Sequence, residues 1–173
     1  LTGHIVLSTL HTNNAIGAIP RLLDMGVDRY LIAPSVSLAI SQRLVRRLCD
    51  KCKEKVEPAK ELADLIEKEI GQASLSFQKR ASISLGQKGK GFAIFQVKGC
   101  KECGASGFSG RIGIFEVLKM TPELQEIILR DPSETNIAKE ARRQGMVTMR
   151  QDGILKVLDG VTTIEEVLRE TEE

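Results

Sequence analysis

The sequence predicts an α/β fold: the end of a sheet with its helices, an inserted metal module and an all-helical tail. Three observations predict it. Residues 4–10, "HIVLSTL", form an apolar, β-branched run of the kind buried on both faces of a parallel sheet. All four cysteines fall into two C-x2-C pairs, Cys49/Cys52 and Cys100/Cys103. From Thr121 to the end, apolar spacing and capping residues are helical.

The first run breaks at "HTNNA". Thr12 and Asn13 are N-cap residues, and Ala15, Ile16, Ile19, Leu22 and Leu23 recur at helical spacing up to Gly26, which suits a C-terminal cap. Pro20 lies inside that pattern, so the helix either starts near it or kinks there. A second helix is expected from about Ser35 to Leu48, because Val36, Ile40, Leu44 and Leu48 are four apart. Arg43, Arg46 and Arg47 make a separate basic stripe, readable as a solvated face, a subunit contact or a phosphate-proximal surface. Residues 57–70 read as an amphipathic helix with Leu62, Leu65, Ile66 and Ile70 inward and Pro58 in its first turn. "ASISL" and "FAIFQV" then read as two strands of a hairpin joined by "GQKGKG". In the tail, Thr121 before Pro122 opens one helix and Ser133 another. A third lies between Thr148 and Leu158, ahead of Gly160, and Thr163 with Glu166 forms a capping box for 164–171.

At 173 residues the chain suits one ordinary domain, or the edge of one with a small appended module. A charged fraction of 28% with a formal charge of only +2 excludes a disordered chain and a strongly basic nucleic-acid binder. Aromatics make up 3%, with no Trp and one Tyr, which argues against base-stacking platforms and leaves packing to aliphatic side chains. No window approaches the roughly 18 apolar residues of a membrane span, and no basic segment precedes an apolar one as in an export signal. We therefore expect a soluble, folded protein, neither integral to a membrane nor exported. Because Leu1 opens straight into the strand-like run, the natural chain is expected to begin upstream.

Two C-x2-C turns can point four sulfurs at one tetrahedral ion, and Gly99 and Gly104 let backbone wrap close to them. The 47 residues between the pairs carry their own elements, so their ends can still meet. A structural zinc held by Cys49, Cys52, Cys100 and Cys103 is the expectation. It would contribute folding energy on the order of 10–16 kcal/mol and no catalysis, since four thiolates leave no open position. Disulfides or a thiol-redox pair are the alternatives.

In a strand of period two, His4, Val6 and Ser8 face one way, and His11 falls beyond the strand end. Ligands of open α/β sheets bind at the carboxyl ends of strands, so Thr9, His11 and Thr12 stand where a nucleotide phosphate could be sensed. A satisfied structural histidine is the plainer reading of the same residue. "GQKGKGFA" spaces Gly86 and Gly91 as a phosphate loop does, but Phe92 and Ala93 replace the Lys and Ser/Thr that such a loop needs. No other stretch supplies one, so this chain alone should not hydrolyse ATP.

"TGHIVLSTLHTNNA" resembles the histidine box of the type II secretion and type IV pilus assembly ATPases. "RLLDMGV", "SQRLVRRLCDKC" and "GCKECGASGFSGRIGIFEVL" follow in that family's order. The resemblance implies the C-terminal part of a RecA-like P-loop NTPase domain in 1–48, the tetracysteine zinc module in 49–104, and a return to the core with a helical region in 105–173. It implies a hexameric ATPase that powers pseudopilus or pilus assembly, using ATP and Mg2+ at a P-loop and Walker B segment upstream. His4 and His11 would be the box histidines, with His11 nearer the γ-phosphate and Thr9 and Thr12 beside the nucleotide. Cys49, Cys52, Cys100 and Cys103 would be the family's metal site, which the retraction ATPases lack. Implied partners are further copies of the chain in a homo-hexamer and inner-membrane platform proteins. The implied location is cytoplasmic and peripheral to that membrane, with no direct nucleic-acid partner. The competing expectation is a free-standing zinc module for protein docking, without ATPase activity.

Overall fold

The computed structural model describes residues 3–85 and 92–172. In chain order the first half holds α1 (Ala18–Asp24), α2 (Arg29–Ser35), β1 (Leu38–Leu48), β2 (Glu54–Val56), α3 (Lys60–Gly71) and α4 (Leu75–Leu85). There follow β3 (Ile94–Gln96), β4 (Phe108–Lys119), α5 (Pro122–Arg130), α6 (Glu134–Arg143), α7 (Met149–Leu158) and α8 (Ile164–Thr171). Among the described residues the result is a mixed α/β chain with two small sheets, β1 with β4 and β2 with β3. It forms two compact units, one of residues up to Ser41 with Glu116–Met146, the other of Gln42–Phe115 with the residues from Val147 onward.

In the first unit α1 starts at Ala18, so of the two expectations a start near Pro20 holds rather than a kink, and Pro20 falls in the first turn, where its missing N–H breaks no intrahelical bond. Asn14, rather than Thr12 or Asn13, supplies the side-chain acceptor before it, its Oδ1 taking the N–H of Gly17 at 2.8 Å. Gly26, at φ +82°, closes the other end: its N–H reaches Leu23 O at 2.8 Å and that of Val27 reaches Leu22 O at 3.1 Å. Asp28 caps α2 by accepting from Tyr30 N. The core gathers Ile19, Ile32, Leu118, Leu124, Ile128 and Ile137, each at most 1% exposed, where α2 packs on α5 and α5 on α6. Thr121 caps α5, accepting from Leu124 N at 3.2 Å and donating to Glu140 at 3.0 Å.

In the second unit α7 is the centre. Ile154, Leu155, Val157 and Leu158 are buried, and α3, α4, β3 and α8 pack around them. Gly153 lets α8 approach, since a Cβ there would lie 2.5 Å from Val167 Cγ1. Thr148 and Gln151 form a full capping box on α7. At α8 Thr163 accepts the N–H of Glu166, but the Glu166 carboxylate turns to the Arg46 backbone N–H at 3.1 Å and the Arg46 guanidinium at 2.5 Å. Half of the box expected there is thus diverted into an ion pair.

Three expected elements are different in the structure. Residues 4–10 carry no strand, and Ile5, Val6 and Leu7 are 96%, 79% and 94% exposed. A strand of that type is held by neighbours on both sides, and none of the described residues pairs with it. The expected helix over Ser35–Leu48 is β1, with Val45 and Leu48 buried while Ile40 and Leu44 are exposed. "ASISL" is the end of α4, not a hairpin strand, because Phe77 and Ala81 lie four apart on a helix and are buried in the core. β3 pairs instead with β2, antiparallel, with Lys55 opposite Phe95. The "GQKGKG" turn lies outside the described residues.

Candidate metal centre

The second unit brings the two cysteine pairs together, as their spacing predicts. Cys49 follows β1 directly, and its N–H is fixed by Gly107 O at 2.9 Å. The chain then turns tightly, with Cys52 N and Lys53 N both donating to Cys49 O. On the other side Ala105 N reaches Cys100 O at 2.8 Å and Gly104 N reaches Lys101 O at 3.2 Å. That second turn is built from left-handed backbone at Gly99 (φ +89°), Gly104 (+60°), Ala105 (+63°) and Gly107 (+75°). Gly99 and Gly107 are also sterically obligatory: a Cβ would meet Ala105 O at 2.6 Å in the first case and Val97 Cβ at 2.5 Å in the second.

The four sulfurs lie within 4.8 Å of one another. Cys49 Sγ is 3.9 Å from Cys100 Sγ, Cys52 Sγ is 3.8 Å from Cys103 Sγ, and Cys100 and Cys103 are 3.7 Å apart. Thiolates held tetrahedrally at about 2.3 Å from a shared zinc stand about 3.8 Å from each other. The donor set therefore fits that ion in number, softness and spacing. These separations are far longer than an S–S bond of about 2.05 Å, and the cysteines are free thiols.

The protein prepares the thiols unequally. Backbone N–H groups of Cys100 and Gly107 donate to Cys103 Sγ, each at 3.2 Å, and pull its pKa down to about 6. Burial pushes Cys52 up to about 12. A cation that replaces the protons removes that conflict, since thiolate ligation and burial then favour the same state. Around the site, Lys53 Nζ donates to Gly160 O at 2.8 Å and Arg46 lies over the Phe108 ring at 4.1 Å. The carboxylate of Glu166, 2% exposed, binds both Arg46 and Arg169. The spacing marks Arg46 as part of a basic stripe and Glu166 as part of a capping box, but not their pairing, which joins residues 120 apart in sequence.

The second group of sequence-predicted residues lies in the first unit. His4, Thr9 and His11 are exposed along the stretch before α1, and Thr12 Oγ1 donates to Asn14 O at 3.1 Å. The end of this loop is fastened from a distance: the backbone N–H of Ala15 donates to Glu116 Oε1 in β4 at 2.5 Å. Glu116 is another residue that sequence spacing did not mark.

A family model described as "Type II/IV secretion system protein" matches residues 1–169. "Type IV pilus assembly ATPase PilB" of Thermus thermophilus is 40% identical over 171 residues, 99% of this chain and 17% of that protein. "Type II secretion system protein E" of Pseudomonas aeruginosa is 43% identical over 173 residues, the whole of this chain and 31% of that protein. "Type II secretion system ATPase E" of Vibrio cholerae is 39% identical, with the same coverage on both sides. The chain thus spans less than a third of the length of these relatives. Among the described residues no helix is long and apolar enough to cross a membrane.

Proposed function

The chain belongs to the type II/IV secretion system protein family, and from that premise we propose that it is the C-terminal part of a RecA-like ATPase that drives assembly of a pilus or pseudopilus. The observation that carries this reading is identity near 40% across the whole chain to proteins named as ATPases of both machines. In this reading the parent protein is a cytoplasmic homo-hexamer at the inner membrane, docked on platform proteins, and ATP and Mg2+ bind at a P-loop supplied upstream. Hydrolysis transfers the γ-phosphoryl group to water, so catalysis is mostly positioning and charge stabilisation. His11 donates a ring N–H to the γ-phosphate, Thr9 offers a hydroxyl beside it, Thr12 stands next to it with its own hydroxyl donated to Asn14 O, and His4 stands at the other end of the same stretch. Loss of the phosphate is passed to α1 through the loop that joins them.

Cys49, Cys52, Cys100 and Cys103 hold a structural zinc in this proposal, supported by the spacing of their sulfurs. The ion supplies a closed, four-thiolate clamp that fastens the ends of the segment between the pairs.

The test uses the full-length protein. His11→Ala should lower ATP turnover while leaving the melting temperature in place, and unchanged turnover would remove His11 from the mechanism. Metal analysis should find zinc in the wild type and little in Cys100→Ser. A metal-free wild-type protein with the same melting temperature would count against the clamp.

A further inference from the structure

Glu116 occupies a position in β4 that alternation gives to the core. Its neighbours on that face, Ile114 and Leu118, are 0% and 1% exposed, and Glu116 itself is 5% exposed. A carboxylate in such a place is costly unless charge-assisted hydrogen bonds offset its lost hydration. Glu116 Oε1 accepts the N–H of Ala15 at 2.5 Å, across 101 residues of sequence. Ala15 is 2% exposed, so its N–H also needs a partner. Other ties in this turn are local: Thr12 Oγ1 to Asn14 O at 3.1 Å, Gly17 N to Asn14 Oδ1 at 2.8 Å and Ala18 N to Ala15 O at 3.3 Å. A leucine at 116 would fill the same slot without the cost of burying charge. Through the Ala15 amide the carboxylate adds a fixed height for the turn that follows His11 and Thr12.

We propose that Glu116 is a positioning residue for nucleotide sensing: its carboxylate, through the Ala15 amide, holds the loop that presents His11 and Thr12 to the γ-phosphate. The proposal rests on the reading of that loop given above. Glu116 touches no nucleotide itself. Displacing the Ala15 amide moves a backbone already linked by the Thr12–Asn14 bond, so the effect arrives at His11 as a change of orientation.

The readout is the preference of the full-length protein for a non-hydrolysable ATP analogue over ADP, taken as a ratio of dissociation constants. A partly unfolded sample lowers the number of binding sites without changing that ratio. Glu116→Leu should reduce the preference about tenfold, comparable to losing one charged hydrogen bond. Glu116→Gln, which keeps a weaker neutral acceptor in the same shape, should lose less. His11→Ala should produce the same loss, and the double variant His11→Ala/Glu116→Leu no more than either alone. If His11→Ala loses the preference while both Glu116 variants keep it, the positioning role is overturned and the reading of the loop survives. If His11→Ala keeps the preference, the reading of the loop fails and this inference with it. A further loss in the double variant would mean that Glu116 acts apart from His11, which also overturns it. Should the leucine variant not fold, Glu116→Gln decides alone, and an undiminished preference refutes the proposal.

Discussion

At Gly99 a single added carbon decides whether the second cysteine turn can close. The backbone there is left-handed and Ala105 O stands 2.6 Å from where a Cβ would go. Gly99→Ala should therefore lower both zinc content and melting temperature, whereas Gly104→Ala, with open space around its Cβ, should cost only the backbone strain of about 1–2 kcal/mol. Metal analysis beside a thermal melt separates the two. Elsewhere single carboxylates carry the charge balance. The Arg143 guanidinium, with Thr121, holds Glu140 below its ordinary 4.5 against the opposing effect of burial. A depressed carboxylate stabilises the fold above its unfolded-state pKa and loses that contribution as pH falls through the folded value. Glu140→Gln should accordingly be less stable than wild type at pH 7, with the gap in urea midpoints narrowing as pH drops below 4.5. A gap of constant size would mean that the charge of Glu140 is not what stabilises α6.

Among the elements, the tail helices were the most legible, because their signals are local. Thr121, Ser133, Thr148 and Thr163 all stand at the N-caps of the helices they were expected to open. Thr121→Ala should cost about 1 kcal/mol in urea unfolding through loss of the cap, and more if Glu140 is left short of a donor. The strands were harder for a physical reason. Val36, Ile40, Leu44 and Leu48 are four apart, a spacing that lies on one face of a helix and, being even, on one face of a strand as well. Length could not separate them either, since β1 runs for 11 residues. β4 escaped notice because Glu116 interrupts the apolar face formed by Ile114 and Leu118. The error at "ASISL" has the opposite origin: five alternating residues imitate a strand, while the helix that contains them takes its register from Phe77 and Ala81.

For the molecule as a whole, the two units have separate apolar cores, one around Ile32, Leu124 and Ile128, the other around α7. The thiols lie in the second unit alone. A chelator should therefore speed amide exchange around Cys49–Cys52 and Cys100–Cys103 and leave the protected amides of α5 in the first unit unchanged; uniform loss of protection would contradict a local clamp. The coming together of the four thiols could be read from the chain because a four-thiolate site demands identical donors at fixed local spacing. The loop anchored by Glu116 could not, since a buried acid announces itself only once distant residues are brought together.

The separation of the two cysteine pairs also bears on how the protein is made. Cys49 and Cys52 leave the ribosome with 47 residues still to come before Cys100. At roughly 5–20 residues per second, two thiols wait between about two and ten seconds for their counterparts. During that interval the nascent chain offers half a site, able to bind an ion weakly or to be oxidised. If the four thiols take a metal, the site can close only after Cys100 and Cys103 have been made, so closure belongs to the later part of synthesis.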